Sequence, residues 1–132
     1  MRQYRRAVLR DMEMLFNARM LRPDHPIHAY PEAARSVINY GIPDVCSKTR
    51  SELVDGDFDE HVKKVLEQYE PRISSRSISI KRVTSEDAAG LQRIGLEIEG
   101  ELWAEPYPDH LFVKTELDLE SGQCTLEGDS IG

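Results

Sequence analysis

The hydrophobic pattern of this chain changes its period once, at Arg72, and this change limits the folds that the chain can adopt. Before Arg72, apolar residues recur every three or four positions, which is the spacing of amphipathic helices. After Arg72, they alternate with polar residues, which is the spacing of strands with one buried face. Because helices come first and strands follow, the sequence predicts an α+β fold, with N-terminal helices packed on a small antiparallel β-meander.

Three helices are predicted before Arg72. The first turns its arginines mostly away from an apolar stripe, which comprises Tyr4, Val8, Met12, Leu15, Phe16 and Met20. A loop, RPDHPIHAY, precedes a short second helix in PEAARSVINYG, whose predicted apolar face comprises Ala33, Ala34, Val37, Ile38 and Tyr40. The third helix begins at about Asp57, a candidate N-cap, and ends at the stretch EQYEPRIS.

Four strands are predicted after Arg72, in SISIKRV, LQRIGLEIEGELW, LFVKTELDLE and, after the turn ESGQ, around Cys124 to Leu126. The residues predicted to face the core are Ile78, Ile80, Ile94, Leu96, Ile98, Leu102, Leu111, Val113, Thr115, Leu117 and Leu119. The charged residues predicted to face away from it are Glu97, Glu99, Glu101, Lys114, Glu116 and Asp118. These elements predict one domain over residues 1–132, with helices over about 2–70 and strands over about 73–127.

Charge is distributed unevenly along the chain. Residues 1–22 carry six arginines against Asp11 and Glu13, whereas residues 95–132 carry ten acidic residues against Lys114 alone. With a formal net charge of -7, the chain should be repelled by phosphate backbones, so nucleic-acid binding is not expected. The asymmetry fits docking to protein surfaces of opposite sign, although a solvated charged face would have the same composition.

The sequence contains no pattern typical of a membrane segment or a metal site. Its N-terminus is charged throughout, and no stretch approaches about 18 apolar residues, so we expect a cytoplasmic protein without direct membrane insertion. His25 and His28 are separated by a proline and lack an evident third ligand. Cys46 and Cys124 match no metal spacing, so they are interpreted as reduced thiols, and no metal or cofactor is predicted.

No catalytic site is predicted. The strand carboxylates alternate with apolar residues and so lie on a solvated face, where nothing raises a pKa for acid catalysis. The serines belong to no nucleophile motif, and the chain lacks a glycine-rich phosphate loop. The composition therefore favours a binding or structural role over an enzymatic one.

Glu70, Pro71 and Arg72 are the candidate partner-binding residues. Pro71 restricts Glu70 to extended geometry and fixes its own backbone, so the two charged side chains are expected to leave a rigid corner in defined directions. The alternative is a helix stop with a surface ion pair, which would contribute little to stability.

Four features, taken in this order, resemble one known family: LRDMEMLFNAR, SVINYGIPD, QYEPRI and the apolar-acidic strands. From about Leu9 to Leu126, the chain resembles the TssE-type baseplate subunit of the bacterial type VI secretion system. That subunit is related to the baseplate wedge protein of contractile-tail phages, whose family was once labelled lysozyme-like.

The resemblance implies a non-enzymatic protein of the cytoplasmic baseplate, docked near the inner membrane. Its implied partners are TssF-like and TssG-like wedge subunits, with a TssK-like subunit as a further candidate, and the contractile sheath whose first ring it initiates. It implies that Glu70, Pro71 and Arg72 contact the wedge or position the domain in it, and that sheath arms extend the sheet by strand addition. Two alternatives stay open, a muramidase and a baseplate component of a related phage-like contractile particle.

Strand addition also agrees with the strands themselves, because a meander has two edges with unpaired backbone groups. The charges that line the strands are expected to oppose self-pairing and to attract a basic partner arm; they comprise Glu97, Glu99, Glu101, Glu116 and Asp118. The alternating pattern does not identify which strand is the free edge.

Overall fold

The computed structural model describes residues 2–21, 24–43, 58–83, 93–104 and 107–128. Its helices are α1 (Arg2–Asn17), α2 (Pro31–Ala34) and α3 (Phe58–Tyr69), with short 3-10 turns at Pro26–Ala29, Val37–Asn39 and Ser75–Ser77. Its strands are β1 (Ser79–Val83), β2 (Arg93–Leu102), β3 (Asp109–Asp118) and β4 (Cys124–Gly128). The predicted α+β fold is confirmed, whereas the predicted cap at Asp57 lies outside the described residues.

The four strands form one antiparallel sheet in the order β1-β2-β3-β4, which is the predicted meander. Ile98 lies opposite Ile80 on one side and Val113 on the other, so apolar side chains meet in rows across one face. The predicted inward residues of β2 and β3 are buried, and those of β1 are buried or half-buried. The sheet has an inner face against the helices and an outer face that carries the charges.

The core lies between the inner face of the sheet and two helices. Helix α1 supplies Val8, Met12, Leu15 and Phe16, each no more than 2% exposed, as its predicted stripe requires. Helix α3 supplies Phe58, Val62, Val65 and Leu66. Full burial of a side chain of this size stabilises the fold by roughly 1.5–3 kcal/mol, so these two helices supply much of the stability.

The second helix is shorter than predicted, and the prediction of its apolar face is wrong at two positions. Helix α2 ends at Ala34, and in the following turn Val37 and Ile38 are 80% and 69% exposed. Asn39 is buried instead, where its side-chain amide donates to the carbonyl of Ala34 at 2.9 Å and accepts from the N–H of Leu21. Asparagine side chains compete in this way with helical backbone bonds, and the turn consequently presents its apolar residues to solvent.

Gly41 allows this segment to lie directly against the end of α1. Its φ of 134° is in the region that favours glycine, and an added Cβ would lie 2.5 Å from the carbonyl carbon of Ala18. On either side of this contact, Ile42 donates to the carbonyl of Ala18 at 3.1 Å and accepts from the N–H of Met20 at 3.0 Å. The string Asn-Tyr-Gly-Ile-Pro is therefore a structural joint between α1 and the α2 segment.

Two polar side chains of α1 attach the helix to the sheet. Arg5, only 9% exposed, is an exception to the predicted outward placement of the arginines, and its guanidinium donates to Asp109 at 2.6 Å and to the carbonyl of His110 at 2.9 Å. At the other end of the helix, the Asn17 amide donates to the carbonyl of Cys124 at 2.9 Å and accepts from its N–H at 2.8 Å. These bonds hold α1 alongside β3 and β4.

Replacing Gly41 with alanine is expected to lower the free energy of unfolding by about 3 kcal/mol, because the new Cβ both strains the backbone and collides with α1. Gly95→Ala is the matched control, since its Cβ would lie 3.1 Å from the nearest atom, the carbonyl oxygen of Val83, in ordinary strand geometry. Urea unfolding of both variants measures the difference. A loss at Gly41 no larger than the loss at Gly95 would show that the positive φ and the close approach to α1 add nothing to the cost of the new Cβ.

Candidate interaction site

Helix α3 ends in a tight turn built on Pro71. The N–H of Glu70 makes the last helical bond, to Leu66 at 2.9 Å, and the N–H of Ile73 then returns to the carbonyl of Glu70 at 3.2 Å. Pro71 occupies the second position of this four-residue turn, where its fixed φ is favourable. Ile73 pairs next with Leu102 at the end of β2, so the turn connects α3 directly to the sheet.

The charged side chains on the two sides of Pro71 bind each other. Glu70 is 3% exposed, and its two carboxylate oxygens accept from Nε and Nη2 of Arg72 at 2.6 and 2.7 Å. We expected both side chains to leave a rigid corner in defined directions; in the structure, Glu70 turns inward and Arg72 follows it. A bidentate pair with a buried carboxylate differs from the surface ion pair that was the alternative, because its charges are largely withdrawn from water.

Arg72 also reaches a second carboxylate, on α1. Its Nη2 donates to Oδ2 of Asp11 at 2.7 Å, so one guanidinium joins the start of the sheet, the end of α3 and the middle of α1. The hydrogen bond from Arg72 is the main reason that the pKa of Asp11 is lowered. The pKa of Arg72 is raised, chiefly by its bond to Glu70. We call Asp11, Glu70, Pro71 and Arg72 the corner.

Two tyrosines connect the corner to the turn after α2. The rings of Tyr40 and Tyr69 meet edge to face with centroids 5.2 Å apart, and the Tyr69 hydroxyl donates to the carbonyl of Ser36 at 2.8 Å. Burial raises the pKa of both tyrosines. The structure thus brings together two motifs that are 30 residues apart in sequence, and it leaves Val37 and Ile38 exposed beside them. Sequence periodicity missed these two residues, because their spacing is that of a buried helix face.

The charges of the outer sheet face are mostly compensated across the strands. Glu97 lies between Lys81 and Lys114, and Lys114 in turn lies opposite Glu127. Glu116 pairs with Arg93 at 3.2 Å. These contacts reduce the negative charge that a basic partner arm would meet along the middle of the sheet.

The remaining predicted sheath-facing residues have other neighbours. Asp118 accepts from the N–H of Glu120 at 2.9 Å within the β3–β4 turn, and this bond is the main reason that its pKa is lowered. Glu99 lies opposite Phe112, and Glu101 lies opposite His110. Neither Glu99 nor Glu101 faces a lysine or arginine across β2 and β3.

The strand register shows which backbone groups of β1 face outwards. The carbonyl of Glu101 accepts from the N–H of Ser74 at 2.9 Å, so the odd-numbered residues of β2 direct their backbone towards β1. The register pairs them with the odd-numbered residues of β1. Ile80 and Arg82 therefore direct their N–H and C=O groups away from the sheet, where a further strand would lie.

The edge of β4 is partly closed. Asp118 donates to the carbonyl of Gln123 at 3.0 Å, so by alternation Cys124 and Leu126 direct their backbone outwards. The Asn17 amide already bonds both backbone groups of Cys124. Within the described part of the chain, a side chain takes the place of a neighbouring strand at the β4 edge but not at the β1 edge.

Comparison with protein families gives a match over residues 2–107, to the family described as baseplate wedge protein gp25. The chain belongs to this family. The match includes all three helices, the corner, β1 and β2, and it confirms the resemblance to TssE-type baseplate wedge subunits. Searches of curated proteins and of solved structures gave no match. A baseplate wedge protein has a structural role, in contact with other baseplate and tail components.

Two further observations concern the described residues only. None of their helices is long and apolar enough to cross a bilayer. They contain no group of three or more histidine, cysteine, aspartate or glutamate side chains arranged to hold a metal ion.

Arg72→Ala is expected to lower the free energy of unfolding by about 3–5 kcal/mol, because it leaves the buried Glu70 carboxylate without its partner. Asp11→Ala should cost only about 1 kcal/mol, since the Asp11 side chain is 38% exposed and screened by water. Urea unfolding of the two variants tests the comparison. If Arg72→Ala costs no more than Asp11→Ala, the corner does not depend on the Glu70 pair.

Proposed function

We propose that this protein is a non-enzymatic subunit of a type VI secretion baseplate, which links the wedge to the first ring of the contractile sheath. The edge of β1 at Ile80 is the observation that carries the proposal, because the N–H and C=O of Ile80 are directed outwards and provide a template for a strand from another chain. Family membership supports the baseplate setting. The proposed location is the cytoplasm, in a baseplate docked near the inner membrane.

The sheath contact is proposed at β1. A strand added beside Ile80 would form main-chain bonds to it without displacing any bond of the sheet. The side chains of the added strand that lie on the outer face would be next to Lys81, which is exposed on that face. An acidic residue in the added strand would therefore be favoured beside Lys81. This differs from the basic arm expected from the sequence, because the register compensates Glu97 with two lysines.

The wedge contact is proposed at the surface around the corner. Pro71 is exposed, Arg72 keeps 31% of its side chain accessible, and Val37 and Ile38 add an apolar surface at the same end of the molecule. Exposed apolar residues held on a rigid support are typical of interface centres. The proposed partners are TssF-like and TssG-like subunits, with a TssK-like subunit as a further candidate. Glu70 contributes indirectly, by holding Arg72 in place.

The muramidase alternative is disfavoured by the environment of Glu70, the buried carboxylate among the described residues. A glycosidase acid must reach the glycosidic oxygen of its substrate, with a second carboxylate across a cleft. Both oxygens of Glu70 are occupied by Arg72, and the residue is 3% exposed. Clearing of a peptidoglycan layer by the pure protein would overturn this conclusion. A subunit of a related phage-like contractile particle would use the same two surfaces.

Proline at the outward positions of the edge strands tests strand addition. Ile80→Pro removes an outward N–H but no ladder bond, and Ile80→Ala is its matched control because it loses the same side chain and keeps the N–H. We expect Ile80→Pro to reduce co-purification of the sheath subunits roughly tenfold relative to Ile80→Ala. Leu126→Pro and Leu126→Ala form the corresponding pair on β4. Loss of sheath with Leu126→Pro alone would place the contact at β4 instead.

Aspartate at Val37 and Ile38 tests the wedge contact without breaking the corner. Both side chains are exposed, so the free energy of unfolding of the double variant V37D/I38D should lie within about 0.5 kcal/mol of that of the native protein. We expect it to lose the wedge subunits in a pull-down, because two charges would be buried in the contact. Met14→Asp, at a residue 61% exposed on α1, controls for a charge placed elsewhere. Retention of the wedge subunits by V37D/I38D would exclude this surface.

A further inference from the structure

Exposed aromatic side chains lie at the end of the sheet where β2 leads into β3. Trp103, the single tryptophan of the chain, directly follows β2 and is 67% exposed, and Tyr107, between the two strands, is 78% exposed. Phe112, on the outer face of β3, is half-buried. A tryptophan normally buries most of its large surface, so exposure of this extent indicates a contact surface for another molecule.

The backbone beneath Trp103 is held in place by the corner. Its N–H donates to the carbonyl of Arg72 at 2.8 Å. Two residues earlier, Glu101 accepts from the N–H of Ser74 at 2.9 Å and donates its own N–H to the hydroxyl of Ser77 at 2.8 Å. The ring therefore projects from a fixed strand, and less conformational freedom is lost when it is covered.

Two carboxylates lie on the same face beside these rings. Glu101 is two residues before Trp103 and so shares its face of the strand, and Glu99 lies directly opposite Phe112. Side chains opposite one another across antiparallel strands have Cβ atoms about 5 Å apart. Glu99, Glu101, Trp103 and Phe112 thus form one surface, which we call the aromatic-acidic surface.

This surface differs in charge from the rest of the outer face. The row above it alternates in sign from Lys81 through Glu97 and Lys114 to Glu127. Across β3, Glu99 and Glu101 meet only Phe112 and His110, and the His110 ring lies 3.8 Å from Glu99. The negative charge left uncompensated on the described sheet is therefore concentrated next to the exposed tryptophan.

We propose that the aromatic-acidic surface binds an arginine-bearing basic segment of a partner protein. A guanidinium is planar and weakly hydrated, so it stacks on the face of an aromatic ring while its N–H groups donate to carboxylates. Lysine matches this arrangement less well, because its ammonium is compact and strongly hydrated. The contact is to the face of the sheet, so it is separate from strand addition at the β1 edge and does not depend on it.

A second copy of this chain is the competing occupant. Arg6 and Arg10 are exposed on α1 and carry the same chemistry. We assign the surface to a different protein because the net charge of the chain is -7. Two copies of the chain therefore repel each other, whereas a basic partner is attracted.

Fluorescence of Trp103 tests the proposal directly, because no other tryptophan contributes to the signal. The full chain is titrated with a hexa-arginine peptide, and in parallel with hexalysine, at about 150 mM salt, where distant charges are screened. We expect a saturable change in Trp103 emission with hexa-arginine at several-fold lower peptide concentration than with hexalysine. Equal binding of the two peptides would overturn the stacking contact.

Two charge-matched variants separate a local site from general attraction to an acidic protein. Glu99→Gln with Glu101→Gln should weaken hexa-arginine binding roughly tenfold, whereas Glu116→Gln with Glu127→Gln changes the net charge equally and should leave binding within about twofold. Equal weakening by both pairs would overturn the proposal. Sedimentation of the native chain without peptide tests self-association. A dimer that Glu99→Gln with Glu101→Gln abolishes would assign the surface to a second copy of this chain and overturn the proposal.

Discussion

The Arg72 guanidinium is the contact on which the arrangement of this protein depends. It binds a buried carboxylate at the end of α3 and a half-exposed carboxylate on α1, and its own backbone carbonyl accepts a bond from the first residue after β2. Three parts of the chain that are distant in sequence therefore meet at one residue, through its side chain and its backbone carbonyl. Because a buried charge is tolerated only when it is paired, the fold and the geometry of the corner are linked.

This linkage changes how the Glu-Pro-Arg tripeptide is understood. Taken as isolated residues, the two charges appear available to a partner. In the structure, Glu70 is withdrawn from solvent and Arg72 is mostly engaged, so the exposed parts of this region are Pro71 and the neighbouring apolar pair Val37 and Ile38. In the proposed wedge contact, the tripeptide acts as a support, and the exposed residues beside it supply the surface.

The sequence predicted the sheet well because strand periodicity and burial have the same cause. In β2 and β3, most alternate residues are apolar and buried, with Thr115 as a buried polar exception, so both the face and the strand order could be derived from the pattern. The α2 segment could not be derived in this way. Its apolar residues have helical spacing, but the Asn39 side chain and the positive φ of Gly41 redirect the backbone, and neither effect has a periodic signal.

The site was predictable in composition but not in its contacts. The position of Pro71 at a helix end could be derived from sequence, whereas the reach of Arg72 to Asp11, across 61 residues, could not. The same is true of the charges on the outer face. Their sign is evident from the sequence, but their compensation depends on cross-strand register, which sets Glu97 between two lysines and leaves Glu99 beside an aromatic ring.

The Asn17 side chain makes the two edges of the sheet different. Its amide presents a donor and an acceptor to Cys124 in the arrangement of a peptide group, at the first outward position of β4. At the β4 edge, the Asn17 side chain thus takes part of the place of a neighbouring strand. At the β1 edge, no side chain does this in the described part of the chain. Copies of such a module have unlike flanks and cannot join indefinitely through the same edge. The fold therefore opposes growth of one continuous sheet from copies of this chain.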